Sequence, residues 1–258
     1  TRADVCPVRS VDGMTTNEPA ILAEGLAKSY RRTVAVAGVS LRVEAGETFG
    51  LLGANGAGKT TTVEMIAGLR KPDGGQVRVL GLDPRHDRAK LRQILGVQLQ
   101  HAYLHGALRV SELVDLYRSF YPNPRSASEL LGMVDLTEQR RTPFEKLSGG
   151  QQQRLSIALA LAGRPRVVIL DELTTGLDPK ARRRMWGTVE QLTSEGVTIL
   201  LVSHAMEEVG RLCDRVALMD WGRIIAQDTP AGLIAQAGTD TLDDAFVALT
   251  GREVETAE

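Results

Sequence analysis

Residues 47–60, ETFGLLGANGAGKT, contain the pattern that indicates the fold of this chain most clearly. It begins as an apolar run that predicts a buried strand, and it ends with the pattern G-x-x-x-x-G-K-T at residues 53–60. Residues 61–69 follow with the apolar spacing of a short helix. A strand, a glycine-rich loop and a helix in this order direct backbone amides and the positive end of the helix toward phosphate oxygens. The sequence therefore predicts a phosphate-binding loop.

Two side chains at the end of this loop have predicted contacts with a nucleoside triphosphate. Lys59 is expected to bridge the β and γ phosphates, and the hydroxyl of Thr60 is expected to bind Mg²⁺. The predicted cofactors are therefore ATP and Mg²⁺. The residues of this segment that we assign to the nucleotide are Gly53, Asn55, Gly56, Ala57, Gly58, Lys59, Thr60 and Thr61.

A second apolar run, residues 167–170, ends in the adjacent carboxylates of Asp171 and Glu172. Many strands end in an acidic residue, so this pair becomes informative only beside a phosphate-binding loop. Asp171 is then expected to hold Mg²⁺ through water, and Glu172 to polarise the attacking water as a general base. Binding of ATP alone would need only the first acid, so the pair predicts hydrolysis.

The rest of the chain alternates strands and helices with one interruption. Predicted strands cover residues 21–26, 40–43, 47–52, 76–80, 96–100, 167–170, 197–202, 215–219 and 223–226, and predicted helices cover residues 61–69, 88–95, 151–162, 179–195 and 206–212, with a last one from Leu242. Between about His101 and Leu147 the strand signals disappear. Helices are expected there near Ser111, as the capping residue, and near Ser128.

Composition limits the possible classes of protein. With 43% hydrophobic and 24% charged residues, 258 residues fit one large core, or one core with a small subdomain. The net charge of -1 gives no general attraction to nucleic acid. The two cysteines, Cys6 and Cys213, form no disulfide framework, and we expect Cys213 to be a small buried apolar residue. No apolar run approaches the roughly 18 residues that cross a bilayer.

The first residues lack the regular pattern of the remainder. Residues 1–13 are polar and unpatterned, and Met14 follows them, so we expect Met14 to be the natural start. Residues 1–19 are predicted to be disordered or not native to the protein.

The segment Leu147-Ser148-Gly149-Gly150-Gln151 completes the set of motifs, because it matches the signature of the ATP-binding-cassette (ABC) ATPases. From Ile21 to about Arg252 the chain resembles this family. The resemblance implies an α/β fold of the P-loop NTPase type, with a RecA-like core, an N-terminal antiparallel β subdomain and an inserted α-helical subdomain. The implied ABC domain covers residues 20–252, with the insertion at about residues 101–150, and residues 253–258 form a tail.

The signature adds a second predicted anion-binding helix terminus, formed by Ser148, Gly149, Gly150 and Gln151. Two phosphate-binding termini in one chain are puzzling for a monomer. In the family, two subunits pair head to tail, and the signature of one covers the γ phosphate held by the other. The resemblance therefore implies a homodimer with shared sites.

The remaining family landmarks follow in order along the chain. Tyr30 matches the aromatic residue that stacks on adenine, although a core tyrosine at a strand end is the alternative. Gln100 matches the Q-loop glutamine, which contacts Mg²⁺ and relays the nucleotide state, with Gln98 as the alternative. Asp178 matches the residue that reaches across the dimer, and His204 matches the histidine that contacts the γ phosphate and holds Glu172.

Some residues depart from the family pattern or have no predicted role. Leu173 stands where the family usually has proline, and the turn after Glu172 loses the stiffness of a fixed φ. The remaining histidines, His86, His101 and His105, are expected on the surface.

Among ABC proteins, a separate transporter subunit fits best. Chromosome-type members have long coiled coils and translation-type members have two cassettes, and this chain has neither. The resemblance implies an ATPase at the cytoplasmic face of the cell membrane, with an integral membrane permease received by the helical insertion near residues 101–109. No nucleic-acid partner is expected.

Residues 50–56 and 241–252 resemble the ATPases of bacterial drug and antibiotic exporters of the daunorubicin-resistance type. Export of a drug or another small molecule is therefore expected, and an exporter of lipid or polysaccharide and an importer are the alternatives. A regulatory module that binds ATP without turnover is an alternative of another class. It would lack Glu172 or His204, and this chain has both.

Overall fold

The computed structural model describes residues 18–99 and 104–251. Within these ranges the strands are β1 (Ile21–Tyr30), β2 (Thr33–Val43), β3 (Thr48–Leu52), β4 (Gly74–Val79), β5 (Leu95–Gln98), β6 (Val167–Asp171), β7 (Thr198–Ser203), β8 (Arg215–Asp220) and β9 (Arg223–Asp228). The α-helices are α1 (Lys59–Ile66), α2 (Arg88–Ile94), α3 (Val110–Arg118), α4 (Ala127–Met133), α5 (Gly149–Ala160), α6 (Pro179–Ser194), α7 (Met206–Leu212), α8 (Pro230–Ala237) and α9 (Leu242–Thr250).

A six-stranded sheet in the order β5-β6-β7-β3-β8-β9 forms the centre of the molecule. Its first five strands are parallel, and β9 runs antiparallel to β8. Strands β3, β6 and β7 are buried along their whole length, which explains why their sequences are nearly continuous apolar runs. Leu52 pairs with Ser203, and Asp171 pairs with Val202, so all three strands end at one edge of the sheet.

Alternate side chains of this sheet pack into two separate apolar cores. Val168, Leu170, Ile199 and Leu201 point into the core that contains most of the helices. Their neighbours along the same strands point into a second core, which α1 and the strands of the smaller sheet complete. The period-two alternation of each strand therefore divides the interior between the two faces of the sheet.

A three-stranded antiparallel sheet, in the order β2-β1-β4, lies beside the second core. Strands β1 and β2 are longer than predicted, because bulges and register shifts after Ala23 and after Lys28 interrupt the alternation that indicates a strand. Asp73, in the turn before β4, accepts hydrogen bonds from the Lys28 ammonium at 2.7 Å and from the backbone amide of Ser29 at 2.9 Å. These bonds fix the end of β1.

The α/β core with an antiparallel sheet confirms the predicted fold class, and α3, α4 and two short 3₁₀ turns lie between β5 and α5 as the helical insertion. Ser111 was wrong as the capping residue of α3. The helix begins at Val110, and the amide of Arg109 donates to Glu112 Oε2 at 2.7 Å, so a carboxylate closes the first turn. Arg125 is buried and bridges Glu129 of α4 to Glu195 after α6, which ties the insertion to the core.

Helices α1 and α5 also start earlier than the sequence predicts, and one helix was not predicted. Helix α1 begins at Lys59 and α5 at Gly149, each two residues earlier than predicted. Helix α8 was not predicted, because its alanines and single leucine give little apolar periodicity, although Thr229 caps it and Pro230 opens it. No helix in the described part of the chain is long and apolar enough to cross a membrane.

Two glycines give opposite predictions for stability. A Cβ on Gly96 of β5 would lie 2.3 Å from the carbonyl oxygen of Ala160, whereas a Cβ on Gly187, inside α6, would meet no atom within 4 Å. We expect Gly96→Ala to lower the free energy of unfolding by about 1–3 kcal/mol by overpacking. We expect Gly187→Ala to raise it by about 0.5–1 kcal/mol, because alanine favours a helix. Urea denaturation of both variants measures this, and equal effects would contradict the close contact between β5 and α5.

Candidate functional site

A cavity of about 350 Å³ opens at the edge where β3 and β6 end. Its walls come from the loop before α1, from the first turn of α1 and from the end of β6. The lining residues are Ala35, Asn55, Gly56, Gly58, Lys59, Thr60, Thr61, Asp171 and Glu172. The structure therefore brings the two predicted motifs, more than a hundred residues apart in sequence, to one cavity.

The glycine-rich loop passes close to neighbouring backbone, and this explains two of its glycines. Gly58 has a φ of 103°, and a Cβ there would lie 2.3 Å from the carbonyl oxygen of Ala35. A Cβ on Gly53 would lie 2.3 Å from the carbonyl oxygen of Met219. The Lys59 ammonium donates to the carbonyl of Gly53 at 2.6 Å and lies across the loop, at the lining of the cavity.

Asp171 presents a buried carboxylate to this cavity. It is 2% exposed, and its Oδ2 atom has no hydrogen-bond partner among the described residues. Burial, together with the negative charge of Glu172, raises the pKa of Asp171 to about 6, although the positive charge of Lys59 opposes the shift. A buried anionic oxygen without a partner is a place for a cation, and the Thr60 hydroxyl lines the same cavity. Oxygen donors of this kind fit Mg²⁺.

Glu172 lies next to Asp171 in an unusual backbone conformation. Its φ is 54°, and its amide donates to the carbonyl of Val202 at 2.8 Å. Its own carbonyl accepts a hydrogen bond from Nε2 of Gln153 in α5 at 3.0 Å. Non-glycine residues held at positive φ cluster at functional sites. Gln153 had no predicted role, and only the tertiary structure shows that it reaches the end of β6.

His204 comes directly after β7, and its Nδ1 lies 3.6 Å from Glu172 Oε1. This separation is longer than a hydrogen bond. Nδ1 is buried without a hydrogen-bond partner in the described structure, so this nitrogen of His204 can still donate or accept a hydrogen bond beside Glu172. The structure thus brings the predicted acid and histidine together.

Gln98 occupies a buried position beside Asp171. Its Oε1 accepts the Asp171 amide at 3.2 Å, and its Nε2 donates to the carbonyl of Leu99 at 2.9 Å. The side chain of Gln98 therefore supports the backbone of Asp171. Gln100, the other candidate for the Q-loop, lies outside the described residues, and so does His101.

Tyr30 ends β1 and is 38% exposed, so it is not a core tyrosine. The guanidinium carbon of Arg70 lies 5.2 Å from the centre of its ring, at cation–π distance. Arg70 is held in turn by Glu64 of α1 at 2.5 Å. Sequence analysis did not identify Arg70 or the cavity residue Ala35, because both contacts depend on how distant segments pack.

The signature segment lies away from the cavity within a single chain. Ser148 caps α5, since its hydroxyl accepts the Gln151 amide at 3.3 Å and the Gln151 side chain accepts the Ser148 amide at 2.9 Å. A Cβ on Gly149 would meet no atom within 4 Å, and one on Gly150 would lie 3.0 Å from Leu177. None of these residues lines the cavity of the described structure.

The other sequence candidates have plain structural positions. Asp178 caps α6, accepting the amides of Lys180 at 2.9 Å and Ala181 at 3.0 Å. Leu173 is 1% exposed and packs in the larger core, away from the cavity. The buried position of Cys213 raises the pKa of its thiol. His86 and His105 are on the surface.

Solved structures with the same fold are ATP-binding cassettes. One described as the ATP binding subunit of an ABC transporter is 27% identical, with a TM-score of 0.81 over 89% of this chain and 99% of that one. The dimeric cassette MJ0796, in a post-hydrolysis state bound to ADP and Pi, is 26% identical, with a TM-score of 0.75 over 81% of this chain and 98% of that one.

Curated relatives are similar over most of their length. The linearmycin resistance ATP-binding protein LnrL of Bacillus subtilis is 39% identical over 85% of this chain and 72% of the relative. The Nod factor export ATP-binding protein I of Ralstonia nicotianae is 40% identical over 87% of this chain and 72% of the relative. The daunorubicin/doxorubicin resistance ATP-binding protein DrrA of Streptomyces peucetius is 39% identical over 86% of this chain and 69% of the relative.

The family model described as ABC transporter matches residues 36–175, which include the loop before α1, the signature and the paired carboxylates. This match, the identity to the curated relatives and the shared fold agree with the geometry of the cavity. The chain belongs to the ABC transporter family, as an ATP-binding subunit.

Proposed function

We propose that this ABC ATPase hydrolyses Mg²⁺-bound ATP in the cavity between the loop at residues 53–61 and the Asp171–Glu172 pair, and so drives export of a small molecule through a separate membrane permease. The proposal rests on one observation. A phosphate-binding loop, the buried carboxylate of Asp171, the acid Glu172 and the imidazole of His204 lie together at one edge of the sheet.

In the proposed reaction, water attacks the γ phosphorus while its proton passes to the Glu172 carboxylate. The bond from the γ phosphorus to the bridging oxygen breaks, and ADP leaves. Lys59 and the loop amides stabilise the charge on the phosphate oxygens, and His204 contacts the γ phosphate and holds Glu172. The separation of 3.6 Å between His204 Nδ1 and Glu172 Oε1 supports these paired roles, because the two side chains are neighbours in the site.

Asp171 and Thr60 would hold the metal ion, and Gln100 would complete the set. Mg²⁺ neutralises charge on the β and γ phosphates when it is bound. The unpartnered Oδ2 of Asp171 supports this assignment, because ionisation of a buried carboxylate is costly without a cation nearby.

We also propose that the site is completed by a second copy of the chain. Ser148, Gly149, Gly150 and Gln151 form a helix terminus suited to phosphate, yet they do not line the cavity of their own chain. The similar cassette MJ0796 forms a dimer in the presence of ADP and Pi. A head-to-tail dimer would place this terminus over the γ phosphate, with Tyr30 stacked on the adenine base and Asp178 at the contact between subunits.

The proposed permease contact is an apolar groove of about 310 Å³ between β5 and the helical insertion. Its walls are Leu69, Gly96, Val97, Gln98, Leu99, Leu104, Tyr117, Tyr121, Ser156, Leu159 and Ala160. Leu69 is 63% exposed at its rim, and Phe120, 59% exposed, follows on the same helical insertion. A helix of a membrane partner at the cytoplasmic face would cover such a surface.

The relatives named for linearmycin and daunorubicin resistance support export of a drug or antibiotic. The relative named for Nod factor export favours the alternative of a different exported molecule. The proposed groove would contact a membrane partner rather than a cargo, so it gives no reason to choose between these substrates.

The first prediction for the site concerns the buried charge of Asp171. Its folded pKa of about 6 exceeds the ordinary value of 3.8, so the folded chain binds this proton more tightly than the unfolded chain. The stabilisation is present below about pH 4 and is lost as pH rises to about 6, a change of about 3 kcal/mol at most. In EDTA, we therefore expect Asp171→Asn to be about 1–3 kcal/mol more stable than wild type above pH 6. Urea denaturation at pH 4.5 and pH 8 measures this, and a difference that does not grow with pH would contradict it.

The second prediction concerns Glu172. An amide cannot accept the proton of water, so we expect Glu172→Gln to lower the ATPase kcat by about 100-fold or more while ATP still binds. Glu207→Gln is the matched control, because Glu207 is an exposed glutamate near the same edge, and its kcat should stay near that of wild type. An unchanged rate in Glu172→Gln would refute the role of Glu172 as base.

The third prediction tests the shared site. Subunits with Lys59→Ala or with Ser148→Arg should each be inactive alone, but each mixed dimer has one intact loop facing one intact signature. Mixing equal amounts should restore about a quarter of wild-type turnover, since about half of the dimers are mixed and each has one of two sites. Mixed dimers shown to form but without activity would count against the head-to-tail arrangement.

A further inference from the structure

Glu208 is a buried carboxylate that the proposed reaction does not use. It lies in α7 and is 1% exposed. Burial raises the pKa of this carboxyl, although hydrogen bonds from three neighbouring side chains oppose the shift. Acidic residues are almost never fully buried without partners, so the contacts of Glu208 require an explanation.

Three donors from three separate segments converge on this carboxylate. Its Oε2 accepts the hydroxyl of Ser203 at 2.8 Å, and its Oε1 accepts the indole Nε1 of Trp186 at 3.3 Å. The hydroxyl of Thr174 also hydrogen-bonds to it. Thr174 and Ser203 are themselves buried, so these bonds are shielded from water and hold their partners firmly.

Two of these segments carry the proposed catalytic pair. Ser203 directly precedes His204, and its Oγ also accepts the amide of Ala205 at 3.0 Å, so the backbone is fixed on both sides of the histidine. Thr174 lies two residues after Glu172. The separation of 3.6 Å between His204 and Glu172 therefore depends on two segments that are both bonded to Glu208.

We infer that Glu208 is a positioning residue, which sets the distance between His204 and Glu172 and so controls hydrolysis rather than ATP binding. The inference rests on the proposed roles of those two residues. Displacement of a catalytic group by about 1 Å can lower a rate 100-fold, so a loss of alignment should lower kcat. The described hydrogen bonds of Glu208 do not include the phosphate-binding loop, so ATP binding should change little.

The test compares kcat with the Kd for ATP in four variants of the chain. Glu208→Ala removes all three contacts, and we expect kcat to fall about 10- to 100-fold with Kd changed less than about two-fold. Glu208→Gln keeps the shape and can bond to the same three groups, so it should recover most of the rate. Ser203→Ala removes only the contact beside His204 and should also lower kcat about 10-fold. Trp186→Phe removes only the contact with α6 and should leave kcat within about two-fold of wild type.

Each other outcome overturns the inference. If Trp186→Phe lowers kcat as much as Ser203→Ala, or if Kd rises as kcat falls, Glu208 has only a general structural role. Should Glu208→Ala not fold, normal turnover of Ser203→Ala alone refutes the inference. In the Glu172→Gln background Glu208→Ala should cause no further loss, because the pair that it aligns is already inactive. Failure of the proposed function looks different, since wild type would then bind ATP without turnover.

Discussion

Parallel hydrogen bonding of β3, β6 and β7 is the constraint on which the site depends. The register joins Leu52 to Ser203 and Asp171 to Val202, so the loop before α1, the acidic pair and His204 leave the sheet at one edge. Open parallel sheets bind their ligands at the carboxyl ends of their strands. The buried apolar runs of these strands therefore stabilise the fold and also align the residues of the site.

Three carboxylates concentrate negative charge at or near the site. Asp171 and Glu172 are adjacent and Glu208 is buried nearby, and burial of the ionised Asp171 and Glu208 lowers stability. Neutral donors satisfy Glu208, whereas the Oδ2 of Asp171 lacks a partner in the described chain. This contrast gives the two buried carboxylates different roles. Glu208 holds the protein's own segments together, whereas Asp171 is open to a cation.

Much of the fold was predictable from sequence because its decisive signals are local. A glycine-rich loop, a buried strand that ends in two acids and the capping box at Ser148 depend on residues near one another in the chain. The full length of β1 was not predictable, because bulges break its alternation. Glu208, Gln153 and Arg70 were also missed, since their partners lie elsewhere in the sequence and come close only after folding, and no motif of their own identifies them.

In the proposed arrangement one chain contains only half of each hydrolytic site, because the helix terminus at Ser148 does not line the cavity of its own described chain. Sedimentation velocity of the Glu172→Gln variant measures the dimerisation that this arrangement requires, since ATP is expected to persist in its site. We expect dimers with Mg²⁺ and ATP, monomers with ADP, and loss of the ATP-bound dimer when Ser148→Arg is added. Monomers under all of these conditions, with ATP shown to be bound, would contradict it.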